Sequence, residues 1–249
     1  MPGQPALLSA TELRKRFDAL VVLDCVDFAL DDGEAVGIVG PNGAGKTTLL
    51  GVLSGAHRAD GGAIRLRGVE VTAQPAAERC RRGIVRTHQV PRPFGGMTVF
   101  ENLFVAASHG GGFGRSAAED RAIDALTASG MRHLANRRAE TLGLLDRKRL
   151  ELARALATDP AILLLDEIGG GLTDGEAAEL VEIIGQLRSR GIAIVWIEHI
   201  VHVLLRVVGR LVCMDAGRII ADGAPNTVLA DPAVIGAYFG EDAACRVLS

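Results

Sequence analysis

Aromatic residues are scarce: phenylalanine, tyrosine and tryptophan make up 4% of the 249 residues. The four cysteines, Cys25, Cys80, Cys213 and Cys245, are far apart and form no C-x-x-C pair. That excludes a disulfide framework and a cysteine zinc site. No uninterrupted apolar run reaches the roughly 18 residues a membrane-spanning helix needs. The most apolar stretch, residues 192–214, is broken by Glu198, His199, His202, Arg206 and Arg210. The first residues lack the charged-then-apolar pattern of a secretory signal. The net charge of −3 gives no general attraction for DNA or RNA. The two basic clusters, residues 79–82 and 147–149, read as solvated helix faces, so no nucleic-acid partner is expected. These absences predict a cytoplasmic protein that reaches a membrane only through a partner. What is present suits a sizeable core: 48% hydrophobic residues in a chain long enough for one large domain, or one with an insertion.

The chain is organised around Gly40, Pro41, Asn42, Gly43, Ala44, Gly45, Lys46, Thr47 and Thr48. This is the phosphate-binding pattern G-x-x-x-x-G-K-[ST]. Residues 35–39 before it are apolar and of strand length, and residues 49–53 after it suit a helix, so the motif has the context it requires. The glycines let successive backbone N–H groups point inward at an anion. The start of the following helix adds its positive end. Lys46 supplies charge for the outer phosphates, and the Thr47 hydroxyl can ligate Mg2+. The competing reading is a glycine-rich turn with a solvated lysine, which leaves the flanking strand and helix unexplained.

Along the rest of the chain, residues 1–10 read as a poorly ordered lead. Residues 26–30 alternate like a half-buried strand. Phe17 is either a stacking face for a nucleotide base or a core phenylalanine. Residues 58–90 read as β-rich, with a turn at Asp60-Gly61-Gly62, a helix over 75–82 and a strand over 84–89. Gln89 at the end of that strand can ligate Mg2+ or orient a water, although a lone glutamine is more often a surface residue. Residues 91–157 form a mostly helical insertion, with helices over 99–108, 117–129 and 147–157 and a glycine/proline connection that lets it move.

Residues 161–165 then run apolar into Asp166 and Glu167. Such a run is a strand buried on both faces of a parallel sheet, and two carboxylates at its exit are costly unless they face a site. Asp166 is placed to hold Mg2+, and Glu167 to polarise an attacking water as general base. The bland reading is a loop start. A helix over 176–190, a buried strand over 192–197, a hairpin about residues 215–217 and a helix over 231–240 complete the chain. His199, just past the second buried strand, could contact a γ-phosphate; alone, a histidine is more often structural.

In this order, the P-loop, Gln89, the helical insertion, Asp166-Glu167 and His199 resemble the ATP-binding subunits of ABC transporters over essentially the whole chain. Segments 15–17, 86–89, 98–103, 150–156, 196–199 and 233–240 look most like subunits of branched-chain amino acid and related amide importers. The resemblance implies an α/β fold: a P-loop NTPase core with a mixed, largely parallel sheet flanked by helices and an antiparallel β part. The core would span residues 1–90 and 158–249, and the helical subdomain 91–157. ATP and Mg2+ would be the cofactors.

By the same resemblance, Phe17 stacks on adenine, residues 40–48 hold the phosphates, and Thr47, Gln89 and Asp166 serve the metal. Gln89 relays nucleotide state, Glu167 is the catalytic carboxylate, and His199 is the switch histidine. The implied partners are transmembrane permease subunits, a second cassette that completes each ATP site, and, indirectly, a secreted solute-binding protein. The implied location is the inner face of the cell membrane. A non-transport ABC ATPase in regulation or nucleic-acid work is the alternative; it has no basic arm or paired cassette here.

The family signature L-S-G-G-Q is altered. Ungapped, the chain offers residues 142–146, Leu-Gly-Leu-Leu-Asp. With two extra residues, Thr141, Leu142 and Gly143 supply hydroxyl, spacer and glycine, and this register is expected because it keeps a hydroxyl donor. Ile168 replaces the usual proline after Glu167, and His88 replaces a usual phenylalanine beside Gln89. The loop Gly171-Leu172-Thr173 lacks the usual Asp or Asn at its last position.

Overall fold

The computed structural model describes residues 6–239. The chain begins with β1 (Leu8–Phe17) and β2 (Leu20–Leu30), then β3 (Ala35–Val39) and α1 (Lys46–Leu53). Next come β4 (Gly61–Leu66), β5 (Val69–Glu70), α2 (Ala76–Arg81) and β6 (Ile84–Arg86). A helical stretch follows: α3 (Val99–Val105), a π-helical turn (Ala106–Gly110), α4 (Arg115–Ala128), two 3-10 turns and α5 (Leu144–Leu156). The chain then returns through β7 (Ile162–Asp166), α6 (Asp174–Ser189), β8 (Ala193–Ile197) and α7 (Val201–Leu204). It closes with β9 (Arg210–Asp215), β10 (Arg218–Gly223), α8 (Pro225–Leu229) and α9 (Pro232–Phe239).

Two sheets result. An antiparallel one runs in the order β2-β1-β4-β5. A larger one runs β10-β9-β3-β8-β7-β6, parallel except for β10. Strands β3, β7 and β8 are buried along their whole length, which is why they read as unbroken apolar runs. One core lies between the two sheets around α1 and includes Leu8, Leu13, Ile38, Leu49, Leu53, Leu164 and Val195. A second lies on the opposite face of the parallel sheet, where Leu180, Ile184 and Leu187 of α6 meet Leu163, Leu165 and Trp196. The helical stretch has a third core of its own, built on Val99, Leu103, Ala122, Met131 and Leu150.

The sheet order positions the site. β8 lies between β3 and β7, and all three are parallel. Their carboxyl ends therefore open on the same edge, where ligands of open α/β sheets bind. The P-loop leaves β3, Asp166 and Glu167 leave β7, and His199 follows β8 two residues on.

Several sequence expectations are corrected. Residues 8–10 are not a loose lead but the start of β1, whose Leu8 and Leu13 are buried; residues 1–5 lie outside the described residues. Gly61 and Gly62 belong to strand β4 rather than to a turn. β6 stops at Arg86, three residues before Gln89. α5 starts at Leu144, three residues earlier than its charged periodicity indicated. The terminal helix runs to Phe239, and Gly240 lies outside the described residues.

Candidate active site

The loop after β3 folds into a small cup. Its cavity of about 180 Å³ is lined by Val22, Glu167 and residues 42–48. Gly40 has φ 142°, and a Cβ there would meet the Met214 carbonyl oxygen at 2.0 Å, so no other residue fits. Gly43 and Gly45 also take positive φ, at 84° and 99°. No side chain caps α1, which leaves its first amides to an incoming anion. Lys46 is buried and turns back on the loop, its Nζ donating to the carbonyls of Gly40 at 2.6 Å and Pro41 at 2.9 Å. Burial pushes its pKa down, opposed chiefly by the negative field of Glu167 and then by that of Asp166. A phosphate would give that ammonium the negative partner it lacks in the loop.

Asp166, at the end of β7, is 1% exposed. Its Oδ1 accepts from Thr47 Oγ1 at 3.2 Å, and its Oδ2 accepts from Arg86 Nη2 at 2.7 Å. A hydroxyl and a carboxylate side by side, both hard oxygen donors at the phosphate cup, suit Mg2+. Arg86 was not singled out from the sequence. It is the last residue of β6, the strand next to β7, and that pairing brings it to Asp166.

Glu167 carries the tightest set of contacts. Its φ is +48°, a left-handed conformation that a glutamate rarely adopts. Its N–H donates to the Ile197 carbonyl at 2.9 Å, tying it to the end of β8. The Gln89 side-chain amide donates to Oε2, and His199 Nε2 lies 2.8 Å from Oε1. Lys148 of α5 reaches its carbonyl oxygen at 3.5 Å. Three residues expected at the site, Gln89, Glu167 and His199, therefore meet beside the cup, on segments following β6, β7 and β8.

Residues 23–169 match the ABC transporter family, and residues 218–244 match the branched-chain amino acid ATP-binding cassette transporter family. The chain belongs to the ABC transporter family. It is 38% identical to the high-affinity branched-chain amino acid transport ATP-binding protein LivG of Escherichia coli (strain K12), across 96% of this chain and 99% of that protein. It is 36% identical to BraF, the protein of the same description from Pseudomonas aeruginosa, across 94% and 98%. Among solved structures it superposes on a nucleotide-free ATP-binding cassette from an ABC transporter with a TM-score of 0.87 and 31% identity, covering 95% of this chain and all of that one. The ADP conformation of an ATP-binding cassette gives 0.85 at 31%, covering 95% and 99%. The fold is that of an ATP-binding cassette, an ATPase whose hydrolysis is coupled to transport.

Phe17 and the signature segment do not line this chain's own cup. Phe17, exposed at the end of β1, does not line the cavity. Its ring meets His57 edge-on, with centroids 5.4 Å apart, and Lys15 Nζ lies 5.1 Å from its centroid. The signature segment, expected to serve the ATP site of a second cassette, lies in the helical stretch. Thr141 sits in a 3-10 turn, its hydroxyl donating to the Arg138 carbonyl at 2.8 Å and accepting from Arg137 Nε at 3.2 Å. Leu142 is buried, and Gly143 is the residue that leads into α5. The hydroxyl that favoured the gapped register is thus engaged locally, and the position leading into the helix is a glycine without a side-chain donor.

Two more residues escaped the sequence reading. Tyr238 of α9 accepts the Gly40 N–H through its hydroxyl oxygen at 2.6 Å, so the C-terminal helix braces the first glycine of the P-loop. Glu198 is buried at the exit of β8 and contacts the loop after Glu167. Both lie in segments that carry the family resemblance, 196–199 and 233–240, but no role was read from either residue.

Proposed function

We propose that this chain is the ATP-hydrolysing subunit of an importer for branched-chain amino acids or related small polar solutes. The observation that carries the chemistry is Glu167, held by Gln89 and His199 beside the phosphate cup. In this reading the P-loop amides and Lys46 bind the β- and γ-phosphates. Thr47, Asp166 and Gln89 are the residues that would hold Mg2+, which when bound neutralises charge on the phosphate oxygens. Glu167 takes a proton from a water as its oxygen attacks the γ-phosphorus; the bond to the bridging oxygen breaks, and ADP and phosphate leave. His199, hydrogen-bonded to Glu167, is the residue that would contact the γ-phosphate.

The importer reading draws on relatives named as branched-chain amino acid transport proteins that align end to end. It is supported by the C-terminal match to the same transporter type. These relatives speak against the non-transport alternative. No helix among the described residues is long and apolar enough to cross a membrane. The solute path would therefore belong to permease subunits, with this chain docked on their cytoplasmic side. A second cassette would cover the open face of the cup with its own signature segment, and a secreted binding protein would deliver the solute.

The test is uptake of labelled leucine, isoleucine or valine by cells expressing the chain with its genomic neighbours. Lys46→Ala should abolish ATP-dependent uptake, with nucleotide affinity of the purified variant reduced at least ~100-fold, the scale expected when a buried charge contact to phosphate is lost. Uptake and affinity unchanged in that variant would overturn the assignment.

A further inference from the structure

The strand end that supplies His199 also supplies a buried carboxylate that ATP chemistry does not require. Glu198 is 3% exposed. Its Oε1 accepts the backbone N–H of Gly169 at 2.6 Å, and the indole Nε1–H of Trp196 lies 3.4 Å from the same oxygen. Gly169 is two residues past Glu167. A Cβ on Gly169 would come within 2.9 Å of Glu198 Oε1, so the loop passes against the carboxylate with no room for a side chain. The loop itself is tight: Gly170 N–H donates to the Glu167 carbonyl at 3.3 Å and Leu172 N–H to the Gly169 carbonyl at 3.2 Å.

Glu167 needs external restraint. Holding a non-glycine residue at φ +48° costs on the order of 1–3 kcal/mol and persists only when the surroundings over-determine it. In this chain the residue after Glu167 is isoleucine, which leaves φ of that position free, where a proline ring would restrict it. The restraint comes instead from β8. Ile197 holds the Glu167 N–H, Glu198 holds the Gly169 N–H, and His199 holds the Glu167 side chain. Three consecutive residues of one strand end thus grip the loop at its start, its middle and its carboxylate. Of the three grips, that of Glu198 is buried and involves a carboxylate, the kind of hydrogen bond that is shorter and stronger than a neutral one.

We propose that Glu198 is a positioning residue for ATP hydrolysis: its carboxylate clamps the backbone after Glu167 and so aims the Glu167 carboxylate at the P-loop. The inference rests on Glu167 being the group that activates water. Glu198 acts through the loop and not on nucleotide or metal, so its removal changes turnover and leaves nucleotide binding in place.

The experiment compares Glu198→Ala, Glu198→Gln, Gly169→Ala and Glu167→Gln, measuring ATP affinity, kcat and thermal stability of each in the full-length chain. Glu198→Ala should lower kcat by about 10- to 100-fold, the scale of a displacement near 1 Å of a catalytic group, with ATP affinity within about threefold of wild type. Glu198→Gln keeps an acceptor for the Gly169 N–H and should restore most of kcat. Gly169→Ala crowds the same contact from the other side and should reproduce the kcat loss, which carries the test if Glu198→Ala does not fold. Unchanged kcat in both Ala variants, beside an inactive Glu167→Gln, overturns the role of Glu198. Parallel losses of affinity, kcat and stability in both Ala variants also overturn it, since they mark a general structural residue. Normal turnover by Glu167→Gln instead removes the reading on which the clamp depends.

Discussion

Arg86 and Asp166 form an ion pair of 2.7 Å at the carboxylate expected to serve the metal. Asp166 is 1% exposed and the arginine side chain 15%. A carboxylate so deeply buried needs a counter-charge, and without a metal the arginine supplies it. Arg86→Ala should therefore destabilise the nucleotide-free protein by about 3 kcal/mol, the scale for removing one partner of a buried pair. Added Mg2+ with ATP should recover more stability in this variant than in wild type. Thermal melts with and without Mg2+ check this; equal metal-dependent shifts in both proteins would show that Arg86 does not balance Asp166.

The signature region makes a separate prediction. Because the Thr141 hydroxyl is engaged by Arg138 and Arg137, Thr141→Ala should change the ATPase rate of the assembled transporter by less than about twofold, as for a surface substitution away from the site. Gly143→Val, by contrast, places a branched side chain at the start of α5 on the face expected to meet the second cassette's ATP. It should slow turnover by at least ~10-fold, the cost of blocking close approach to a phosphate. ATPase assays of the reconstituted complex check both; Gly143 belongs to either register, so a large effect from Thr141→Ala is the result that would restore the gapped one.

Helix α6 carries a pH-dependent element that can be read without the nucleotide. Thr173 and Glu176 form a capping box: the Thr173 hydroxyl accepts the Glu176 N–H at 3.4 Å, and the Glu176 carboxylate accepts the Thr173 N–H at 2.8 Å. The hydrogen bond from the Thr173 backbone, then that from its hydroxyl, lowers the Glu176 pKa below 4.5. A depressed carboxylate pKa contributes stability that is present above the unfolded value and is lost as pH falls through the folded one. Glu176→Ala should accordingly lower the melting temperature at pH 7, and the difference from wild type should shrink below about pH 4.5. A difference independent of pH would show that the side chain acts through packing alone.

Much of this arrangement is legible in the sequence because local pattern and chemistry coincide there. Residues 40–48 declare their own geometry, and the apolar runs of β3, β7 and β8 declare a buried parallel sheet with polar residues at the strand ends. Those strand ends single out Asp166, Glu167 and His199. Gln89 stands ahead of the helical stretch as expected, although β6 ends three residues short of it. What stays hidden depends on lateral pairing. Arg86 meets Asp166 only because β6 lies beside β7, Glu198 meets Gly169 only because β8 lies beside β7, and Tyr238 meets Gly40 across 198 residues of chain. β1 escapes notice because residues 8–17 mix exposed charges with buried leucines at bulged positions, which breaks the period of two. The signature register is hard to read because a hydroxyl counts by its presence in a sequence, and its local partners are visible only in three dimensions.

In the proposed mechanism Glu167, gripped beside the P-loop cup, activates the water that cleaves ATP. The most direct measurement is phosphate release by the Glu167→Gln variant, made together with equilibrium ATP binding on the same preparation. Glutamine keeps the shape but cannot accept the proton, so binding should match wild type while hydrolysis falls by about 10²- to 10⁴-fold, the range attributed to general base catalysis. Bound ATP with phosphate release at the wild-type rate would show that Glu167 does not activate the water.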